Sequence, residues 1–142
     1  MRPLVIDSSV YIAALRRGEG GAVVARWSGP SAPVWLSAVV LEELYAGCSK
    51  EQARAVETLE RDFTRLRRVL VPNQSDWSLT GRIVARIGAR YGYEQTGRAR
   101  LTNDTLIATS AARTGMLLLT LNERDFARIS EFCSFHWELA AR

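Results

Sequence analysis

The 142-residue chain carries 19 basic against 15 acidic side chains, giving a formal charge of +4 and a pI of about 9.6. With 47% hydrophobic residues it is expected to fold as one ordinary domain over residues 1–142 rather than remain disordered, burying roughly two-thirds of its unfolded surface without disulfides or a structural metal. Cys48 and Cys133 are too few and too far apart for a disulfide framework or a zinc knuckle. No apolar run of about 18 residues is present, and MRPLVID leads straight into a strand pattern, so a soluble, cytoplasmic protein with no membrane partner is expected.

Eighteen of the nineteen basic residues are arginine and only Lys50 is lysine. Arginine's planar fork grips phosphate in two places, which suits a nucleic-acid partner, but a GC-rich genome also writes Arg for Lys. Charge alone does not decide between these.

In chain order, short apolar runs alternate with helical stretches. Strands are predicted at Leu4–Ile6, Val34–Leu36, Val69–Val71 and Met116–Thr120, with a last edge strand at Phe132–Phe135. Helices are predicted at Ser9–Arg16, Gly21–Ser28, Ala38–Ala46, Lys50–Arg67, Asp76–Tyr91, Asn103–Thr114 and Glu123–Ile129. This alternation implies an α/β fold with a short, mainly parallel sheet flanked by helices. Two loops stand out: Arg17–Gly21, and the basic Tyr91–Thr102 with Tyr91 and Tyr93, which offers charge and stacking to a nucleic acid or is an ordinary polar connection.

Four places carry acids or amides of interest. The first strand ends on Asp7, where a parallel sheet presents ligands to a crevice at its carboxyl edge. An N-cap is the plain alternative for Asp7, although Ser8 and Ser9 can supply the same cap. At about 100° per residue Glu43 shares a helical stripe with Val40, Leu44 and Gly47, whereas Glu42 points nearly opposite and serves as its solvent-facing control. A carboxylate on a core-facing stripe needs a cation, either an arginine or a metal. Asp104 lies on one face with Ile107, Ala108 and Ala111, or alternatively favours the helix dipole from the first turn. Asn122 and Asp125, directly after the strand MLLLT, form either a cap or the completion of an acidic cluster.

Converging carboxylates raise one another's pKa unless a divalent cation neutralises them. All-oxygen ligation suits Mg²⁺ or Mn²⁺ rather than zinc, and such ions support phosphodiester hydrolysis by water. His136 is the one histidine and is read as a bystander.

These residues resemble the PIN domain, and within it the VapC group of type II toxin–antitoxin ribonucleases. VIDSSV with Asp7, LSAVVLEELYAG with Glu43, LTNDTLIATSAARTG with Asp104 and LLLTLNERDF with Asn122 and Asp125 carry the resemblance over nearly the whole chain. It implies a PIN-like α/β/α sandwich and a Mg²⁺- or Mn²⁺-dependent endoribonuclease. Asp7, Glu43 and Asp104 match the family's acidic triad, Asn122 its fourth position, with Asp125 as helper and the Ser8 hydroxyl as support. Asn103 stands where Gly is common. The resemblance further implies a homodimer, an RNA substrate (transfer, ribosomal or messenger) and inhibition by a VapB-like antitoxin. Tyr11, Ile12 and Leu15 are candidate docking residues for it but are read as core.

Other readings stay open: a PIN nuclease of RNA processing with no toxicity, or a PIN-like module that binds RNA or protein without cutting. A phosphoryl-accepting domain with Asp7 as nucleophile fares worse, because Ser9 stands where a second Asp is wanted and Lys50 is badly placed.

Overall fold

The computed structural model describes residues 2–19, 32–92 and 97–140. Among them five strands form one sheet: β1 (Leu4–Ile6), β2 (Val34–Ser37), β3 (Val69–Leu70), β4 (Leu117–Thr120) and β5 (His136–Leu139), in spatial order β3-β2-β1-β4-β5. Every pairing is parallel, with Leu4 opposite both Val34 and Leu117. A parallel sheet covered on both faces has no solvent face, which is why β1 and most of β4 are apolar at successive positions and buried.

Six helices accompany the strands: α1 (Ser8–Arg16), α2 (Ala38–Gly47), α3 (Lys50–Arg65), α4 (Gln74–Tyr91), α5 (Arg98–Thr114) and α6 (Glu123–Ser130). Their starts follow local capping chemistry. Ser37 accepts from the Val39 and Val40 amides, and Ser49 with Gln52 and Asn73 with Asp76 each form a reciprocal capping box. α5 stops at Gly115, whose φ of 70° satisfies the last carbonyls in a left-handed turn.

The chain moves outward from β1 through β2 to β3, then returns across the sheet to β4 on the other side of β1. The carboxyl ends of β1 and β4 therefore flank the point where the strand order reverses, the place where open α/β sheets form their binding crevice. One hydrophobic cluster fills the layers, with Val5, Ile6, Leu36, Ile107 and Leu118 fully buried. Tyr11 and Leu15 are buried in it and Ile12 is half-buried against it, as a core reading of α1 requires.

Three predicted boundaries are corrected. The last strand is His136–Leu139 rather than Phe132–Phe135, because Phe132 and Cys133 both donate backbone hydrogen bonds to Ile129 O and close the end of α6. α5 begins at Arg98, not Asn103, since Gly97 takes a φ of 71° and its carbonyl accepts from Leu101 N. The connection predicted over Tyr91–Thr102 is correspondingly short. Tyr91 ends α4 and donates to Glu131 at 2.6 and 2.8 Å, with Arg128 4.5 Å above its ring, so its face is taken by packing. Tyr93, the predicted helix Gly21–Ser28 and the end of the Arg17–Gly21 loop lie outside the described residues.

The α4–α5 pair is locked by polar groups as well as apolar ones. Asp76, 3% exposed, closes its capping box and accepts Arg113 Nε at 2.9 and 3.1 Å, while Thr80 and Thr109 meet at 3.0 Å. Arg113 is partly exposed, so solvent weakens the pair, yet loss of the Asp76 carboxylate leaves that guanidinium only its 3.3 Å hydrogen bond to Val71 O and opens the capping box of α4. Asp76→Ala is expected to cost roughly 2–3 kcal/mol by urea denaturation. A loss under about 0.5 kcal/mol would show that this lock contributes nothing beyond packing.

Candidate metal centre

Asp7 follows β1 with extended backbone (φ −68°, ψ 155°) and its amide continues the β1–β4 ladder to Leu119 O at 2.8 Å. It occupies the N-cap position of α1 but makes no side-chain cap hydrogen bond, and neither Ser8 nor Ser9 substitutes as a cap. Asp7 as a whole is 2% exposed. Oδ2 accepts from Ser9 Oγ and Thr120 Oγ1, both at 2.8 Å, while Oδ1 is buried with no hydrogen-bond partner.

Glu43 projects from the buried side of α2 and Glu42 from the exposed side, as helical periodicity predicts. Glu43 Oε1 is also buried without a hydrogen-bond partner. Burial, then the Asp7 charge, push its pKa up to about 7, partly offset by hydrogen bonding from Ser8 and Asn103. The Asn103 amide also donates to Glu42 at 3.0 Å, so it straddles the two acids. The ion pairs between described residues do not include Glu43, which removes the simple arginine partner among them.

Asp104 is 4% exposed and lies in the second turn of α5, past the reach of a capping or first-turn role. Small neighbours on its face, Ala108 and Ala111, are fully buried and let α5 sit close to the sheet. Burial, followed by the charges of Asp7, Glu43 and Asp125, raises the Asp104 pKa to about 8, with Arg100 acting in the opposite direction.

Asn122 both caps and bridges. Its Oδ1 accepts from Asp125 N at 3.4 Å, while its Nδ2 donates to Asp125 Oδ2 at 2.9 Å and to Asp104 Oδ2 at 3.4 Å. The amide thus turns nitrogen rather than oxygen toward the acids, and ligation through Oδ1 requires that amide to rotate. Asp125 is buried and is also approached by Arg100 Nε at 3.6 Å. His136 pairs with Leu117 at the amino end of β4, the opposite edge of the sheet from Asp7.

The five predicted residues are therefore neighbours: the four carboxyl groups act on one another by charge, and the neutral Asn122 joins them through hydrogen bonds to Asp104 and Asp125. They are not drawn into a closed cage: among the described residues no group of three or more His, Cys, Asp or Glu side chains is arranged to enclose an ion. The donor chemistry nevertheless fits a hard divalent cation. The set is all oxygen, and two of its buried carboxylate oxygens have no hydrogen bond to satisfy them.

Sequence reasoning did not single out Thr120 as a partner of Asp7. The signal is a hydroxyl at the last position of the strand beside β1, level with the acid when the β1–β4 register is carried one step on.

Because Glu43 and Asp104 hold protons more tightly folded than unfolded, the metal-free native state binds more protons between about pH 4 and pH 8. Stability contributed by those protons is present at low pH and lost as pH rises through the folded values. In EDTA the melting temperature is expected to fall between pH 5.5 and pH 8.5, and Glu43→Gln and Asp104→Asn should each flatten that fall and raise the value at pH 8.5. A flat or rising wild-type profile would contradict the coupling of these carboxyls.

Residues 4–131 match the family model described as PIN domain. Among solved structures the chain is similar to one in the DNA-bound VapBC of Salmonella typhimurium, at 23% identity over 98% of each chain with a TM-score of 0.70. It is similar also to VapBC2 of Rickettsia felis bound to a promoter fragment (21%, 97% of this chain and 98% of that one, TM-score 0.60) and to VapBC-5 of Mycobacterium tuberculosis (24%, 100% of each, TM-score 0.52). At such identities these likenesses speak to fold. No curated protein sequence matches the chain. With the family match running over nearly the whole sequence and its acids gathered at the sheet's carboxyl edge, the chain belongs to the PIN domain family.

Proposed function

We propose that this chain is a Mg²⁺- or Mn²⁺-dependent endoribonuclease that acts in the cytoplasm as the toxin of a toxin–antitoxin pair, is held inactive by a VapB-like antitoxin, and works as a homodimer. The observation that carries the chemistry is the pair of buried, unpartnered oxygens, Asp7 Oδ1 and Glu43 Oε1, beside the buried Asp104 carboxyl. PIN domains are nucleases that generally depend on divalent metal, and the structural neighbours named above are toxin–antitoxin complexes. No helix among the described residues is long and apolar enough to cross a membrane.

In this reading Asp7, Glu43 and Asp104 hold the ion, and Asn122 and Asp125 support them. Ser8 steadies Glu43. A divalent cation bound there supplies charge neutralisation at the scissile phosphate and eases deprotonation of the attacking water. The protein's own contribution is to fix the carboxylates at the carboxyl edge of the sheet and, by burying Asp7 and Asp104, to keep bulk water from them. Imidazole chemistry has no place in it, because His136 is at the far edge of the sheet. Arg100, exposed and next to Asp125, is positioned to meet a substrate phosphate near the acids.

The test is cleavage of total cellular RNA by the purified protein with Mg²⁺ or Mn²⁺, beside an EDTA control and Asp7→Ala. Discrete metal-dependent fragments are expected, reduced by at least roughly 100-fold in the variant. Full activity of a folded Asp7→Ala would sink the assigned site. Intact RNA in every lane, with metal binding demonstrated, would favour a module that binds without cutting.

A further inference from the structure

Asp7 owes its orientation to two hydroxyls outside the acidic set. Ser9 Oγ, half-buried, and Thr120 Oγ1, fully buried, both donate to Asp7 Oδ2 at 2.8 Å. Each hydroxyl in turn accepts a backbone amide from the segment after β4: Leu121 N donates to Ser9 Oγ at 3.0 Å, and Asn122 N donates to Thr120 Oγ1 at 2.9 Å. A hydroxyl that accepts an amide proton commits its own single proton elsewhere, and here both are committed to one carboxylate oxygen. The two hydroxyls stand 3.4 Å apart, a longer contact than the 2.8 Å each makes to Oδ2. Oδ1, left over, is buried and has no hydrogen bond.

Resting on the metal-centre reading above, we propose that Ser9 and Thr120 are positioning residues that dedicate Oδ2 of Asp7 to the protein frame and present Oδ1 alone to the cation. Consequences follow from coordination chemistry. Small ions such as Mg²⁺ demand near-octahedral geometry with single-oxygen carboxylate ligands, whereas Ca²⁺ accepts a carboxylate through both oxygens. A clamp that withholds Oδ2 therefore selects the smaller ion. It also fixes Asp7 against residues 121 and 122, so that the β1 half of the site and the half that carries Asn122 and Asp125 move as one piece.

The clamp is tested by calorimetric titration of Mn²⁺ and of Ca²⁺ into the wild type, Ser9→Ala, Thr120→Val and Asp7→Ala, with Ser9→Thr and Thr120→Ser as conservative rescues. Loss of either hydroxyl is expected to weaken Mn²⁺ binding about 10-fold or more, in the range found for residues that orient a ligand. Ca²⁺ binding should weaken less, so the Mn²⁺-over-Ca²⁺ preference falls, while the rescues keep it. A loss of packing alone would weaken both ions by the same factor, and that result overturns the clamp. Ser9→Ala with wild-type affinity for both ions, when Asp7→Ala has lost them, overturns it as well and leaves the metal centre standing. If the wild type binds neither ion, the metal centre falls and the clamp with it. Should Thr120→Val fail to fold, Ser9→Ala, at the half-buried position, separates the same outcomes by itself.

Discussion

Gathering Asp7, Glu43, Asp104 and Asp125 at one edge of a parallel sheet sets like charges against each other where little water remains to screen them. Each carboxylate loses hydration on burial, and each raises the energy of ionising the next. The structure shows both effects: the pKa of Glu43 is pushed to about 7 and that of Asp104 to about 8, with burial the first cause and neighbouring acids the second. A fold seeking stability alone would replace these side chains with apolar ones of similar volume. Their concentration at a topological switch point is a cost that a bound cation would remove, and this constraint shapes the rest of the molecule.

The fold distributes that cost over elements far apart in sequence. β1 delivers Asp7, the buried side of α2 delivers Glu43, the second turn of α5 delivers Asp104, and the cap of α6 delivers Asn122 and Asp125. Packed neighbours hold Asp7 and the helix that carries Asp104. The β1–β4 ladder runs directly into Asp7, Ala108 and Ala111 allow α5 close approach, and the Asp76–Arg113 pair ties the far end of α5 to the start of α4. Placing the acids on strand ends and helix faces, not on long loops, keeps them within small tolerances of one another.

Much of this was legible in the sequence because it follows from periodicity. Four of five strands and the inward turn of Glu43 against the outward turn of Glu42 follow from runs of apolar residues and a helical repeat. The parts that were not legible depend on backbone conformations and cross-strand partners that a linear pattern does not encode. Gly97, with a positive φ, starts α5 five residues before the predicted Asn103, and only that earlier start moves Asp104 from the first turn to the second. Ser9 reads in sequence as a cap, yet its hydroxyl serves Asp7, because Leu121, 112 positions away, supplies the amide that turns it. Asn122 combines the two roles that its sequence context allows: it caps α6 through its oxygen and touches Asp104 and Asp125 through its nitrogen.

The most direct test is a Mn²⁺-soaked crystal examined by anomalous scattering at the manganese edge. A peak bounded by Asp7, Glu43 and Asp104, with Asp7 Oδ1 at roughly 2.0–2.2 Å, is the predicted result. A crystal saturated with Mn²⁺ that shows no peak among these carboxylates, or shows it elsewhere on the protein, would contradict the claim that their shared burial exists to hold a metal.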